Sequence, residues 1–260
     1  MPEASLPAPM AMGVHGLLDP HPWVNPELDD VFALTVRRTV AYGWSSFHAA
    51  GPQGGRWDHN DAGGTLRQDG REPRVRQLAW MRVDVCDAPR GQRLPVLPMA
   101  AVLGDALHRT GRLSFTGLHT VAPLYAAPDS RADLAVAAEW FALADPAASF
   151  AFTVEVSAAE SAGLPRRMPE ILDAAREGAH GQVAVEPLGE LSGSGPLAPG
   201  LGESPAGEPA PAGLRSGWSF RCAAREWSLD SAAWVTEIFA DALRATGTTQ
   251  PALITVSKPL

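Results

Sequence analysis

Apolar side chains recur along this chain with two spacings, one near four residues and one of two, and these separate helices from strands. The longer spacing predicts a helix over 26–41, where Leu28, Phe32, Val36 and Val40 follow an Asn25-Pro26-Glu27 start. The set Phe32, Leu34, Val36, Val40 also fits a strand, so that segment stays open between the two. Pro98 opens a second helix, striped by Met99, Val102, Leu103, Ala106 and Leu107 and ended by Gly111. Two more are predicted, over 167–177 with Met168, Ile171, Leu172 and Ala175 inward, and over 230–246 with Trp234, Val235, Ile238, Phe239, Ala242 and Leu243 on one narrow face.

The two-residue spacing predicts strands. Over 77–85, Ala79, Met81, Val83 and Val85 alternate with Trp80, Arg82 and Asp84. Over 112–121, Leu113, Phe115, Gly117 and His119 are expected on one face. Further strands are expected at 182–188, 218–224 and 252–257, with a short one inside 43–50. Between 133 and 157 the runs Leu134-Val136-Ala138-Trp140 and Phe150-Phe152-Val154-Val156 flank Asp145-Pro146-Ala147-Ala148 and predict a hairpin, although the alanines leave the first run open to helix.

Strand-helix-strand therefore occurs three times, at about 77–121, 149–188 and 217–257. Each helix has one apolar face and needs a sheet to cover. The expected fold is α+β, a mixed sheet of ferredoxin-like modules with the helices mainly on one face. A doubly wound parallel sheet is disfavoured because the strands alternate instead of running continuously apolar. The domain reading is a flexible N-terminal arm over 1–24, a core over 25–190, a disordered Gly/Pro/Ser-rich insertion over 191–215 and a completing unit over 216–260.

Charge and composition narrow the function classes. With 21 basic and 29 acidic residues, the net charge of −8 opposes attraction to nucleic acid or anionic lipid. Lys258 is the only lysine, a skew toward arginine expected of a GC-rich bacterial genome. That skew disfavours Schiff-base, pyridoxal phosphate and phosphate-loop mechanisms, which need a positioned lysine. Cys86 and Cys222 are expected as two buried thiols of a reducing cytoplasm, with their pairing left open. The N-terminal stretch lacks a basic region and a long apolar run, so neither a signal peptide nor a membrane anchor is expected. The expected location is cytoplasmic.

Candidate chemistry is sparse. In GRWDHNDAGG, residues 55–64, Asp58, His59 and Asp61 offer two ligand types to a divalent metal, but neighbouring residues of a glycine-rich loop diverge, and a solvated loop is the expected reading. His15 and His21 flank Asp19 in the arm as a looser set. Asp84, His119 and Glu155 lie on strands among apolar neighbours; covered, each becomes an acid-base candidate, and uncovered, each is an outward polar residue. There is no nucleophile elbow, dinucleotide fingerprint, phosphate loop or zinc-protease motif. Of the eight tryptophans, Trp57, Trp80 and Trp227 sit beside charged residues at positions expected to face outward, as interface anchors do.

Two functions follow as expectations. The first is a protein-interaction or assembly module without its own chemistry, with a protein partner or self-association. The second is a cofactor-independent acid-base enzyme of the cyclase or isomerase type, acting on a small molecule through Asp84, His119 or Glu155. Neither calls for a cofactor.

Overall fold

The alternating segments close into a single sheet. The computed structural model describes residues 8–25, 30–46, 57–64, 66, 75–85, 94–127, 129–159, 162–191 and 214–258. Among the described residues the nine strands are β1 (Ala8–Pro20), β2 (Ser45–Ser46), β3 (Asp58–Gly64), β4 (Arg76–Val85), β5 (Gly111–Ala122), β6 (Phe150–Ala159), β7 (Val183–Glu190), β8 (Leu214–Ala224) and β9 (Ala252–Ser257), in the order β2-β3-β4-β1-β5-β9-β6-β8-β7. All pairings are antiparallel except the two-residue parallel contact of β2 with β3. The helices are α1 (Val31–Ala41), α2 (Val96–Thr110), α3 (Arg131–Phe141), α4 (Leu164–Gly178) and α5 (Leu229–Ala245). The fold is α+β.

The three expected units are β4-α2-β5, β6-α4-β7 and β8-α5-β9, and a fourth, β1-α1-β3, precedes them. Grouped as β1-α1-β3-β4-α2-β5 and β6-α4-β7-β8-α5-β9, the two halves lay down strands in the same relative order, and they meet where β5 pairs with β9. One set of alternate residues is fully buried across the sheet: Met10, Met12 and Val14 of β1, Met81 and Val83 of β4, Leu118 of β5, Val154 of β6, and Ile254 and Val256 of β9. Contacts to α2 run from β1, β4 and β5, those to α5 from β5 and β9, and those to α4 from β7 and β8.

Four expectations are corrected here. Residues 8–20, expected as part of an arm, form β1 at the middle of the sheet; their apolar set Met10, Met12, Val14 alternates with Pro9, Ala11 and Gly13, too small to register as a polar face. Residues 58–64, expected as loop, form β3, and their glycines provide clearance: a Cβ on Gly63 would sit 2.9 Å from Trp80 Nε1. The first run of the expected hairpin is α3, which buries Leu134, Ala138 and Phe141 at helical spacing and stacks Phe141 on Trp234 at 4.6 Å. Helix α5 is buried on every side instead of along one narrow face, because it packs against α2, α3 and α4 as well as β5 and β9. A Ser228–Ser231 capping box starts it.

Helix α1 starts at Val31, with the Asp30 carboxylate accepting from the Phe32 amide at 3.0 Å; residues 26–29 of the expected helix lie outside the described residues. So do residues 47–50 of the expected short strand, nearly all of the expected 191–215 insertion, and Cys86.

Candidate functional site

Residues directly opposite in an antiparallel pair project to the same side of a sheet. The register therefore aligns Trp80, Gly13, His119, Thr255, Glu155 and Ser219 in one row across six strands. A neighbouring row holds Gln77, His15, Gly117, Ser257, Thr153 and Arg221. These rows interleave with the apolar set, so this side of the sheet is polar. A register shift between His15 and Gly16 inserts Thr116 as an extra residue of β5. Leu113 and Phe115 consequently pack with the apolar core, and His119 does not share their face as expected.

At the centre, His15 Nε2 and His119 Nδ1 lie 2.8 Å apart, with ring centroids separated by 4.6 Å. His119 is 1% exposed, and its burial, reinforced by the neighbouring His15, lowers its pKa to about 3. At neutral pH His119 is an uncharged imidazole. With one proton shared between His15 and His119, a His119 whose Nδ1 accepts carries its own proton on Nε2. Among the described residues that Nε2 has no hydrogen-bond partner, and neither has the buried Gln77 Oε1. Both converge over Gly13, where a Cβ would stand 2.7 Å from the first and 2.9 Å from the second. Gly13, with no Cβ, is what lets the imidazole approach β1 this closely.

Glu155 is half-buried in the same row, and desolvation raises its pKa. Thr255 stands between it and His119. Two strand spacings place the two backbones roughly 10 Å apart. Asp84 is not brought to them. It pairs across β1 with Pro9, four residues from Gly13, which is roughly 13 Å along the strand. There it faces Asp58 across β3 and accepts from Asn60 Nδ2 at 3.0 Å.

Asp58, His59 and Asp61 do not converge. His59 is fully buried, with its ring 6.1 Å from that of Phe32 in α1, whereas Asp61 is exposed and its carboxylate accepts from the Ala62 amide at 2.8 Å. Among the described residues no group of three or more His, Cys, Asp or Glu is placed to hold a metal ion. His15 and His21 also part company, His15 in the interior of β1 and His21 just past its end. Cys222 is a buried free thiol, pushed up to about 12 by burial.

The tryptophans expected to reach partners are mostly turned inward. Trp57 is buried edge-on to Trp44 at 5.0 Å, and Trp227 stacks on Phe115 while donating Nε1–H to its carbonyl at 3.1 Å. Trp80 is half-buried across Gly63. Exposed instead are Trp23, at 76%, and Trp140, at 67%. Trp140 belongs to a stripe along α3 and its exit, with Val136 at 68% and Leu143 at 79% exposed. The spacing of four and three residues puts all three on one side of the helix. Asp133, Glu139 and Asp145 flank them, the last two exposed.

Among the described residues no helix is long and apolar enough to cross a membrane. Comparison with protein-family models, with curated proteins and with solved structures gives no match.

Proposed function

We propose that this chain is a protein-interaction or assembly module made of two ferredoxin-like modules joined edge to edge, with its helices over the apolar face of the sheet. The repeated strand order and the helix-strand contacts support the architecture. The observation that carries the function is the Val136, Trp140, Leu143 stripe, three large apolar side chains at least two-thirds exposed along a well-formed helix and its exit. Exposed aromatic anchors of this kind recur at interfaces. The acidic flank selects the occupant: a partner protein that presents an apolar notch with a basic rim, which a second copy of this acidic chain matches poorly. Such a module works without a cofactor, and a cytoplasmic setting is part of the proposal. Purification of the tagged protein from its native source, beside a Trp140→Glu variant, tests it. A stoichiometric partner lost with Trp140→Glu supports the reading, and an unchanged partner or strictly monomeric protein from both removes it.

A second reading is favoured by the sheet's polar face. A neutral imidazole and a carboxyl group of raised pKa share one row there, with unpaired Nε2 and Oε1 atoms beside them. In this reading Glu155 exchanges protons with a small polar molecule and His119 orients it by a hydrogen bond. A thermal-shift screen of small carbonyl compounds checks it: hits must vanish with both Glu155→Gln and His119→Gln, and hits that survive both belong elsewhere.

A further inference from the structure

We infer that the groove between α1 and the C-terminal end of α2 binds a small anion carrying a planar aromatic ring, a phosphate or carboxylate on a flat ring system. This site is independent of α3 and of the sheet's polar face. Two adjoining clefts of about 560 Å³ and about 630 Å³ share Leu34, Arg37 and Arg109 and so form one groove. Each is of the size that small-ligand sites have.

The charges in the groove do not cancel. Among the described residues Asp105 is the only acidic one along either cleft, and it is already engaged, accepting from Arg38 Nε at 2.6 Å and from the Tyr42 hydroxyl at 2.8 Å. Arg37 and Arg109 are left without a carboxylate partner among the described residues. Compensation of the helix dipoles accounts for Arg38 in the last turn of α1 and for His108 and Arg109 in the last turn of α2. It does not call for a further guanidinium, Arg37, directed into the same groove. In a chain of net charge −8, two unpaired forks meeting between two helices favour an anion that accepts from both.

The ring is specified by Trp23. One face of its indole stacks on His21 at 4.5 Å and 15° between planes, and the side chain is 76% exposed. His21 is anchored by its own amide, which donates to the Thr110 carbonyl at the end of α2 at 2.9 Å. The stack is thus fixed to the same helix end that carries Arg109, and both of its rings line the groove. A flat ring on the other indole face completes a sandwich while its anionic group reaches the arginines.

Isothermal titration of the full chain tests this with adenosine 5′-monophosphate and anthranilate as ring-bearing anions, and with adenosine and inorganic phosphate as the ring and the anion alone. At least one ring-bearing anion is expected to bind about tenfold or more tightly than either control, and Arg37→Gln and Arg109→Gln are each expected to weaken it by about tenfold or more. Trp23→Ala should weaken the ring-bearing anion and leave phosphate unchanged, and Arg166→Gln on α4 should change nothing. Binding no tighter than the controls, or binding untouched in both arginine variants, overturns the assignment.

Discussion

His119 makes the stability of this fold depend on pH in a direction that the structure fixes. In the folded chain it stays neutral down to about pH 3, because burial and the neighbouring His15 both oppose its protonation, whereas unfolded it takes up a proton near 6.5. A folded pKa below the unfolded one means that stability is fully present above 6.5 and is lost as pH falls toward 3. Each unit in that window costs about 1.4 kcal/mol, so acidification from about pH 7 to about pH 4.5 removes about 3 kcal/mol through this residue. That is a large part of the roughly 5–15 kcal/mol that holds an ordinary domain together. Guanidinium denaturation followed by tryptophan fluorescence, at several pH values, measures it for the natural protein and for His119→Gln. The variant is weaker at every pH but lacks this loss, so the stability gap between the two narrows by about 3 kcal/mol on acidification. Glu155 and the other carboxylates titrate in both proteins and cancel in the comparison. Parallel pH profiles for the two proteins would refute the reasoning.

Three other perturbations follow from named contacts. Gly13→Ala places a Cβ 2.7 Å from His119 Nε2. It should cost about 1–3 kcal/mol of unfolding free energy and shift the His119 imidazole signals in NMR spectra. Trp234→Ala empties the space between α5 and Phe141, where the rings stack at 4.6 Å, and chemical denaturation should register a loss of about 3–5 kcal/mol. Glu155→Gln should raise the melting temperature at neutral pH, since a carboxyl group of raised folded pKa is held charged there at a cost; the gain should fade as pH falls through that raised pKa.

Period and alternation carried most of the architecture. The strand at Ala252–Ser257 is where the sequence pattern puts it, and α2, α4, α5 and β4 begin or end within a few residues of expectation. The failures have physical causes. In α3 the even-numbered run Leu134, Val136, Ala138, Trp140 imitates a strand, yet the residues that pack are Leu134, Ala138 and Phe141, selected by contact with α5. In β3 the glycines read as loop residues and in β1 prolines and small residues hide the alternation, whereas the work of Gly13 and Gly63 is to leave room for a ring on the adjacent strand. Such a role depends on which strands pair, and pairing is a tertiary property. The same holds for the site. His119 was visible as a strand histidine, but its partner His15 is 104 residues away, and only the β1–β5 register brings them together. The open groove arginines, Arg37 and Arg109, carried no sequence signal at all, since helix-end arginines are ordinary.

Site-specific photocrosslinking in the native host tests the central claim most directly. A benzophenone side chain placed at Trp140 should yield one discrete adduct with another protein, and the same group at the exposed Arg166 of α4 should yield none. An adduct-free Trp140, or an identical adduct pattern at both positions, would contradict the assignment of α3 as the docking surface.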